Sequence, residues 1–378
     1  MALHQRGGDA GQPGRGEIVT FGSRLPWPRQ YRLGTLLLVC LVVAAVVLVV
    51  ARSGGPRRPP AAPPMTVTSF GHPILGVRAG WQLIGLEATG VIAVQFARGR
   101  IVRTAIPPFA GDGIVSLVAA PGEVLVRPLD NVQGYAVPDG EPARPLTGVL
   151  SHGGTLLPGP TPAQQWMDSG NLVLVGPDGK PEHAQLPESA LLWATQVPVI
   201  SDGHGGLVLT GPSGSVYDAN DGKLRTINVL PIAVGPRNWL GLGCGKDSCH
   251  DVVLNAATGV ARTLPGLGAN MYPWPWQPLP GVVSPDGAVA AVVVPGDTTG
   301  QAWLDLVSLS SGAVLHVRVP VAVGSASESL AWSPDSRWLF VVTSDGGLAI
   351  VDRSTAQPRT LSLGLSGLTQ IVIRPVAG

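Results

Sequence analysis

Charge is scarce in this chain, and the scarcity removes the electrostatic case for a nucleic-acid partner. Only 13% of the 378 residues are charged, the formal net charge is +1, and lysine occurs only at Lys180, Lys223 and Lys246. Helix-favouring Lys and Glu are rare, whereas Val, Thr, Gly (51) and Pro (37) abound, a balance that suits short strands and turns. Catalytic signatures are missing too. No HExxH, GxSxG elbow, Walker loop or dinucleotide fingerprint stands in a strand-to-helix context, and GDGIVSL and SDGHGGL read as turn glycines. The seven histidines, His4, His72, His152, His183, His204, His250 and His316, show no short ligand spacing, so each reads as a surface or loop residue. No metal, cofactor or catalytic residue is therefore expected.

What the chain does have is one long uncharged run, Leu33 to Ala51 (LGTLLLVCLVVAAVVLVVA). At about 1.5 Å per residue it matches the roughly 30 Å hydrocarbon core of a bilayer. Arg29 and Arg32 stand before it and Arg52, Arg57 and Arg58 after it, as expected of headgroup anchors. A cleaved signal peptide has a shorter apolar region, and no small-x-small cleavage site precedes Arg52, so the run reads as an uncleaved signal anchor holding membrane lipid. Arg24, Arg29 and Arg32, with Arg15 further out, lean the topology towards a cytoplasmic N-terminus.

Only three cysteines are present. Cys40 lies inside the apolar run, and Cys244 and Cys249 sit in GLGCGKDSCHDVV, close enough to close a hairpin loop. Zinc would need a further ligand pair that the sequence does not offer beside them, and haem attachment needs two residues between the cysteines. A disulfide is the simpler reading. It places the large domain in an oxidising compartment, which agrees with a cytoplasmic tail and an extracytoplasmic C-terminal domain at the cell membrane.

Four segments follow. Met1 to Arg32 is a Gly-, Arg- and Pro-rich tail without a sustained apolar period and is expected to be disordered; Leu33 to Ala51 is the span; Arg52 to Met65, with GGPRRPPAAPP, is an extended linker; Thr66 to Gly378 is the domain. Within it, tight-turn dipeptides between apolar strands recur at Arg98-Gly99, Asp139-Gly140, Asp178-Gly179, Asp221-Gly222, Thr258-Gly259 and Ser311-Gly312, with a Gly-free counterpart at Thr355-Ala356. Apart from one longer step they stand about forty residues apart, and a strand enters and leaves each one. In GVVSPDGAVAAVVV and LAWSPDSRWLFVVTSDG a second turn precedes the hairpin, giving four strands per unit. Pro285 and Pro334 fix φ there, and Asp286 and Asp335 are placed to bond the local backbone.

The expected fold is all-β: a seven-bladed β-propeller, with six or eight blades as alternatives and a sandwich as the rival architecture, preceded by one transmembrane helix. The strands Thr66 to Val77 and Thr369 to Val376 are left over at the two ends. One of them should complete a blade begun by the other terminus, so that deleting either exposes a long edge.

The two S-P-D units and their hairpins, LVSLSSG and IVDRSTA, resemble TolB-like and WD-repeat-like bacterial propellers over Pro280 to Leu363, although the WD dipeptide is absent. The resemblance implies a binding scaffold rather than catalysis, and no particular ligand. Trp274 and Trp276, in the proline-stiffened NMYPWPWQPLPG, are the candidate partner-binding residues; the opposing reading packs both rings inside a loop. Asp286 and Asp335 are related by the repeat and not paired across a cleft as a glycosidase would need. The function expected is a membrane-anchored module that binds a protein partner in the cell envelope. The alternatives are an envelope hydrolase or lyase, and a sensor signalling through its tail at Phe21 to Tyr31.

Overall fold

The structure, a computed structural model, describes residues 65–375 apart from 108–114, 129–132, 152–154, 162, 169–171, 177–178, 183–198, 202–204, 210–214, 219–222, 246–247, 266–280, 296–301 and 323–325. The tail, the apolar run at Leu33–Ala51 and most of the linker lie outside the described residues, as do Trp274 and Trp276. Among the described residues no helix is long and apolar enough to cross a membrane.

Short apolar strands separated by Gly, Pro and Asp turns fold here as antiparallel meanders. The first strands are β1 (Met65–Ser69), β2 (Trp81–Glu87), β3 (Gly90–Gln95) and β4 (Arg100–Ala105). A second sheet is β5 (Val115–Ala120), β6 (Glu123–Pro128), β7 (Tyr135–Pro138) and β8 (Arg144–Pro145), in that order. A third is β9 (Thr155–Pro158), β10 (Gln165–Asp168), β11 (Leu172–Val175) and β12 (Pro181–Glu182), and a fourth is β13 (Val199–Ser201), β14 (Leu207–Leu209), β15 (Ser215–Asp218) and β16 (Lys223–Thr226).

The next sheet holds two meanders. One is β17 (Val229–Val234), β18 (Asn238–Cys244), β19 (Cys249–Asn255) and β20 (Ala261–Thr263); the other is β21 (Gly281–Val283), β22 (Val289–Pro295), β23 (Ala302–Ser308) and β24 (Val314–Val317). They join where β17 and β21 run parallel at Ala233–Gly281 and Val234–Val282. After the four-residue helix α1 (Ala326–Ser329) come β25 (Leu330–Trp332), β26 (Trp338–Val342), β27 (Leu348–Asp352) and β28 (Pro358–Thr360). Finally β29 (Leu368–Pro375) returns to the first sheet, whose order is β1-β4-β3-β2-β29.

First strands of successive sheets lie side by side: β29 next to β5, β5 next to β9, β9 next to β13, and likewise β17, β21, β25 and β29. This repetition of four-stranded meanders around shared inner strands is a β-propeller. Every expected hairpin dipeptide falls between the third and fourth strands of a meander, and both S-P-D turns fall between the first and second.

The core sits between the sheets, not within one of them. Trp81 and Phe96 of the closing sheet meet Phe340 of β26 at ring-centroid distances of 5.9 and 5.2 Å, and each other at 4.6 Å. Buried indoles also bond across sheets: Trp166 Nε1 donates to the Gly205 carbonyl at 2.9 Å and Trp332 Nε1 to that of Val282 at 3.1 Å. Gly99 shows why one turn demands glycine. Its φ is +58°, and a Cβ there would lie 1.9 Å from the His72 carbonyl oxygen. The Gly-free seventh turn places Ala356 at φ 51°, the left-handed region, instead.

The S-P-D turns work as the sequence suggests and also tie sheets together. Ser284 Oγ donates to Asp286 Oδ1 at 2.6 Å and accepts from the Val289 N–H at 3.0 Å; Ser333 Oγ likewise accepts from Trp338 N–H at 2.8 Å and donates to Asp335. Asp286 N–H then donates to Ser336 Oγ of the next such turn at 3.0 Å, and Asn238 Nδ2 reaches the Gly287 carbonyl at 2.8 Å. Removing the fully buried Ser333 hydroxyl (Ser333→Ala) strands the Trp338 amide. The expected cost is about 1–3 kcal/mol, read as a fall in the urea midpoint at unchanged slope.

The two chain ends do not play equal parts. The β29 strand is innermost in its sheet and carries buried Leu368, Ile371 and Arg374, whereas all five residues of β1 are exposed outside β4 as a fifth strand. Its first residue, Met65, is one residue ahead of the expected domain start.

Candidate functional site

A recess of about 450 Å³ opens on the flank of β22 to β24, lined by Val294, Trp303, Asp305, His316 and Arg318 with the backbone of Leu304 and Val317 beside them. Alternation along a strand produces it. Trp303, Asp305 and Val307 point to one face of β23; Val307 packs with Leu240 and Val253 of the preceding meander, while further along the strand Trp303 remains 37% exposed. Cross-strand pairing sets Asp305 opposite His316.

The His316 Nδ1 donates to Asp305 Oδ1 at 2.6 Å, and the two ends of this pair differ in solvation: 6% of the Asp305 side chain is exposed against 76% of the imidazole. A buried carboxylate that can only accept fixes the tautomer, so Nε2 is presented outwards. Beyond it the chain leaves β24 through a tight turn in which Val319 N–H donates to the Val317 carbonyl at 2.8 Å. Arg318, at that turn, is exposed and makes no ion pair among the described residues. An indole face, an oriented imidazole and a free guanidinium thus surround an apolar recess, a combination suited to holding an apolar group next to a polar or anionic one.

Two buried ionic groups with unpartnered polar atoms among the described residues lie elsewhere. Arg127 on β6 is 1% exposed, both its Nη atoms lack partners among the described residues, and burial pulls its pKa down. Asp251 on β19 is 3% exposed with neither carboxylate oxygen bonded; burial pushes its pKa up, against a smaller opposite pull from His250. A carboxyl raised in the folded state favours folding most while protonated, at low pH, and opposes it above the raised value. Replacing it by a neutral amide (Asp251→Asn) should therefore raise the thermal midpoint at pH 7, and the gain should shrink as pH falls through the raised pKa. Asp286 and Asp352 run the other way. Asp286 is held down by bonds from Ser284 and Arg353 that outweigh its burial, and Asp352 by its bond from Ser354, so their stabilisation fades only in acid.

The cysteines expected to pair do so: Cys244 and Cys249 face each other across the β18–β19 hairpin as a disulfide. His250, beside them, bonds Ser248 Oγ at 2.9 Å. Among the described residues no three His, Cys, Asp or Glu side chains converge as a metal site would require. Trp274 and Trp276 belong to the connection between β20 and β21, outside the described residues. Trp303 and the Asp305–His316 pair were not singled out in the sequence, although the hairpin that holds them was. Only the observed register, which centres the hairpin between Ser310 and Ser311, sets positions 305 and 316 opposite each other.

No protein-family model matches the chain, and no curated protein does either. Among solved structures it is similar to TolB from Acinetobacter baumannii, with 13% identity over 78% of this chain and 83% of that one at a TM-score of 0.40. It is similar also to virginiamycin B lyase from Staphylococcus aureus, with 12% identity over 68% and 86% at 0.42, and to AztD from Citrobacter koseri, with 12% over 79% and 98% at 0.40. These likenesses are weak, and the propeller assignment rests on the strand pairing itself.

Proposed function

We propose that the protein is a single-pass membrane protein whose extracytoplasmic seven-bladed propeller binds a protein partner in the cell envelope. The observation that carries the binding reading is the Trp303 recess: a large aromatic ring left partly exposed beside a free guanidinium, whereas the other indoles among the described residues, at Trp81, Trp166, Trp239, Trp332 and Trp338, are buried. Exposed Trp and Arg together are the composition of interaction hot spots. For seven blades, the support is that every neighbour relation of a seven-membered ring of inner strands, except β13 to β17, is present among the described residues. For the compartment, the support is the Cys244–Cys249 disulfide and the arginine-flanked run at Leu33–Ala51.

An envelope hydrolase is the second reading, and the Asp305–His316 pair is the observation in its favour, since an imidazole held by a buried carboxylate also suits a general base. One experiment separates the two: crosslinking of the intact protein in its membranes, followed by rebinding of the captured partner in purified form. A defined partner that rebinds supports the module. Turnover of an envelope polysaccharide or peptide that is lost in His316→Ala, with no partner rebound, supports the enzyme.

A further inference from the structure

We propose that the outer edge of β24 and the adjoining recess take an extended acidic peptide segment of the partner, which joins the sheet as an added strand. The inference rests on the protein-binding reading above and names the chemistry of that partner. The backbone of β24 is available for it. Ser308 N–H donates to the Ala313 carbonyl at 2.9 Å, so by antiparallel alternation the bonded pairs further along are Leu306–Leu315 and Leu304–Val317. The N–H and C=O groups of Val314 and His316 therefore point away from β23, and among the described residues nothing bonds them.

Other described outer strands are blunted against such pairing, β8 and β12 by Pro145 and Pro181, β20 by the exposed Arg262, and β28 by Pro358. Between its first and last residues β24 reads Val-Leu-His-Val, with no proline and no Asp, Glu, Lys or Arg, and Leu315 is 51% exposed. The protein already shows the mode once: β1 pairs with β4 as a fifth strand on the closing sheet, over five residues. An added strand on β24 would bring alternate side chains over the recess, where Trp303 and Val294 accept an apolar one and Arg318 faces the next. Arg318 decides the sign of charge.

The test uses the full-length protein in micelles and a fluorescent synthetic peptide alternating Val and Glu around one Phe, with a Lys-for-Glu counterpart. Binding of the acidic peptide alone is expected, together with slowed hydrogen exchange at the Val314 and His316 amides. Val314→Pro removes an outward N–H while leaving the bonds to β23, and should weaken binding at least tenfold, as should Trp303→Ala; Arg318→Glu should turn the preference to the Lys peptide. Equal binding of both peptides, or no effect of Val314→Pro and Arg318→Glu, overturns the proposal, and neither surface change depends on the fate of the Trp303 core. A concentration-dependent dimer abolished by Val314→Pro would replace the peptide with a second copy. If the crosslinked envelope partner rebinds Val314→Pro as well as wild type, this site falls and the binding reading stands. If neither peptide nor partner binds, both fall.

Discussion

Ending the chain at Ser366 should unfold the domain, while deleting β1 should leave it folded. The truncation removes β29, the innermost strand of the closing sheet, paired with β2 from Trp81 to Glu87. It takes away Leu368 and Ile371, each 3% exposed and packed with the Trp81, Phe96 and Phe340 rings. Losing one such buried aliphatic costs about 2–5 kcal/mol, and here two go together with a whole strand's hydrogen bonds. That sum is comparable with the roughly 5–15 kcal/mol that holds a domain folded. Loss of the cooperative thermal transition and of protease resistance is the expected result. Deleting residues 65–69 removes only exposed side chains and one edge pairing, so the transition should survive with a slightly lower midpoint.

A single change on the same strand should come close to the truncation. The Arg374 guanidinium is 5% exposed and spans the seam between the closing sheet and the next. Its Nη1 donates to the carbonyls of Ala120 and Glu123, both at 2.6 Å, its Nη2 to Asp139, and the Gln82 side-chain oxygen accepts from Nε and Nη2 at 2.7 and 2.8 Å. Replacement by methionine keeps the bulk of the stem but leaves two buried carbonyls and a carboxylate without their donor. Stranding the two carbonyls and the Gln82 oxygen costs roughly 3–5 kcal/mol in all, while Asp139, 42% exposed at its side chain, is rehydrated. At roughly 2–4 °C per kcal/mol, the thermal midpoint should fall by about 6–20 °C. Arg374→Lys should recover only part of this, because an ammonium cannot reach both flanking carbonyls and Gln82 in the fork geometry of a guanidinium.

Legibility in the sequence followed local chemistry. Turns were readable because a positive φ or an Asp-backbone bond demands particular residues, as at Gly99, Gly259, Asp286 and Asp335, so the outer hairpins among the described residues fell where the dipeptides stand. The first and second strands of the early meanders were not, since their connections, such as Pro121-Gly122, carry no repeated signature like S-P-D. The unequal roles of the ends were illegible as well: MTVTS and LTQIVIRP both read as strands, and only packing buries one and exposes the other. The cysteine pair was legible because six residues of hairpin bring its partners together. The recess was hidden for the opposite reason. Trp303, Asp305, His316 and Arg318 are spread over two strands and a turn, and their meeting depends on register, whereas attention went to the neighbouring Trp274 and Trp276.

The measurement that bears most directly on the central claim is the sidedness of the two ends in spheroplasts. One epitope is placed ahead of Met1 and another after Gly378, and each is probed with an impermeant antibody before and after permeabilisation. The account predicts that the C-terminal epitope is stained on intact spheroplasts, with Cys244 and Cys249 blocked against impermeant thiol reagents until reduction, and that the N-terminal epitope appears only after permeabilisation. Staining of the N-terminal epitope alone on intact spheroplasts, or fractionation of the full-length chain away from membranes, would contradict it.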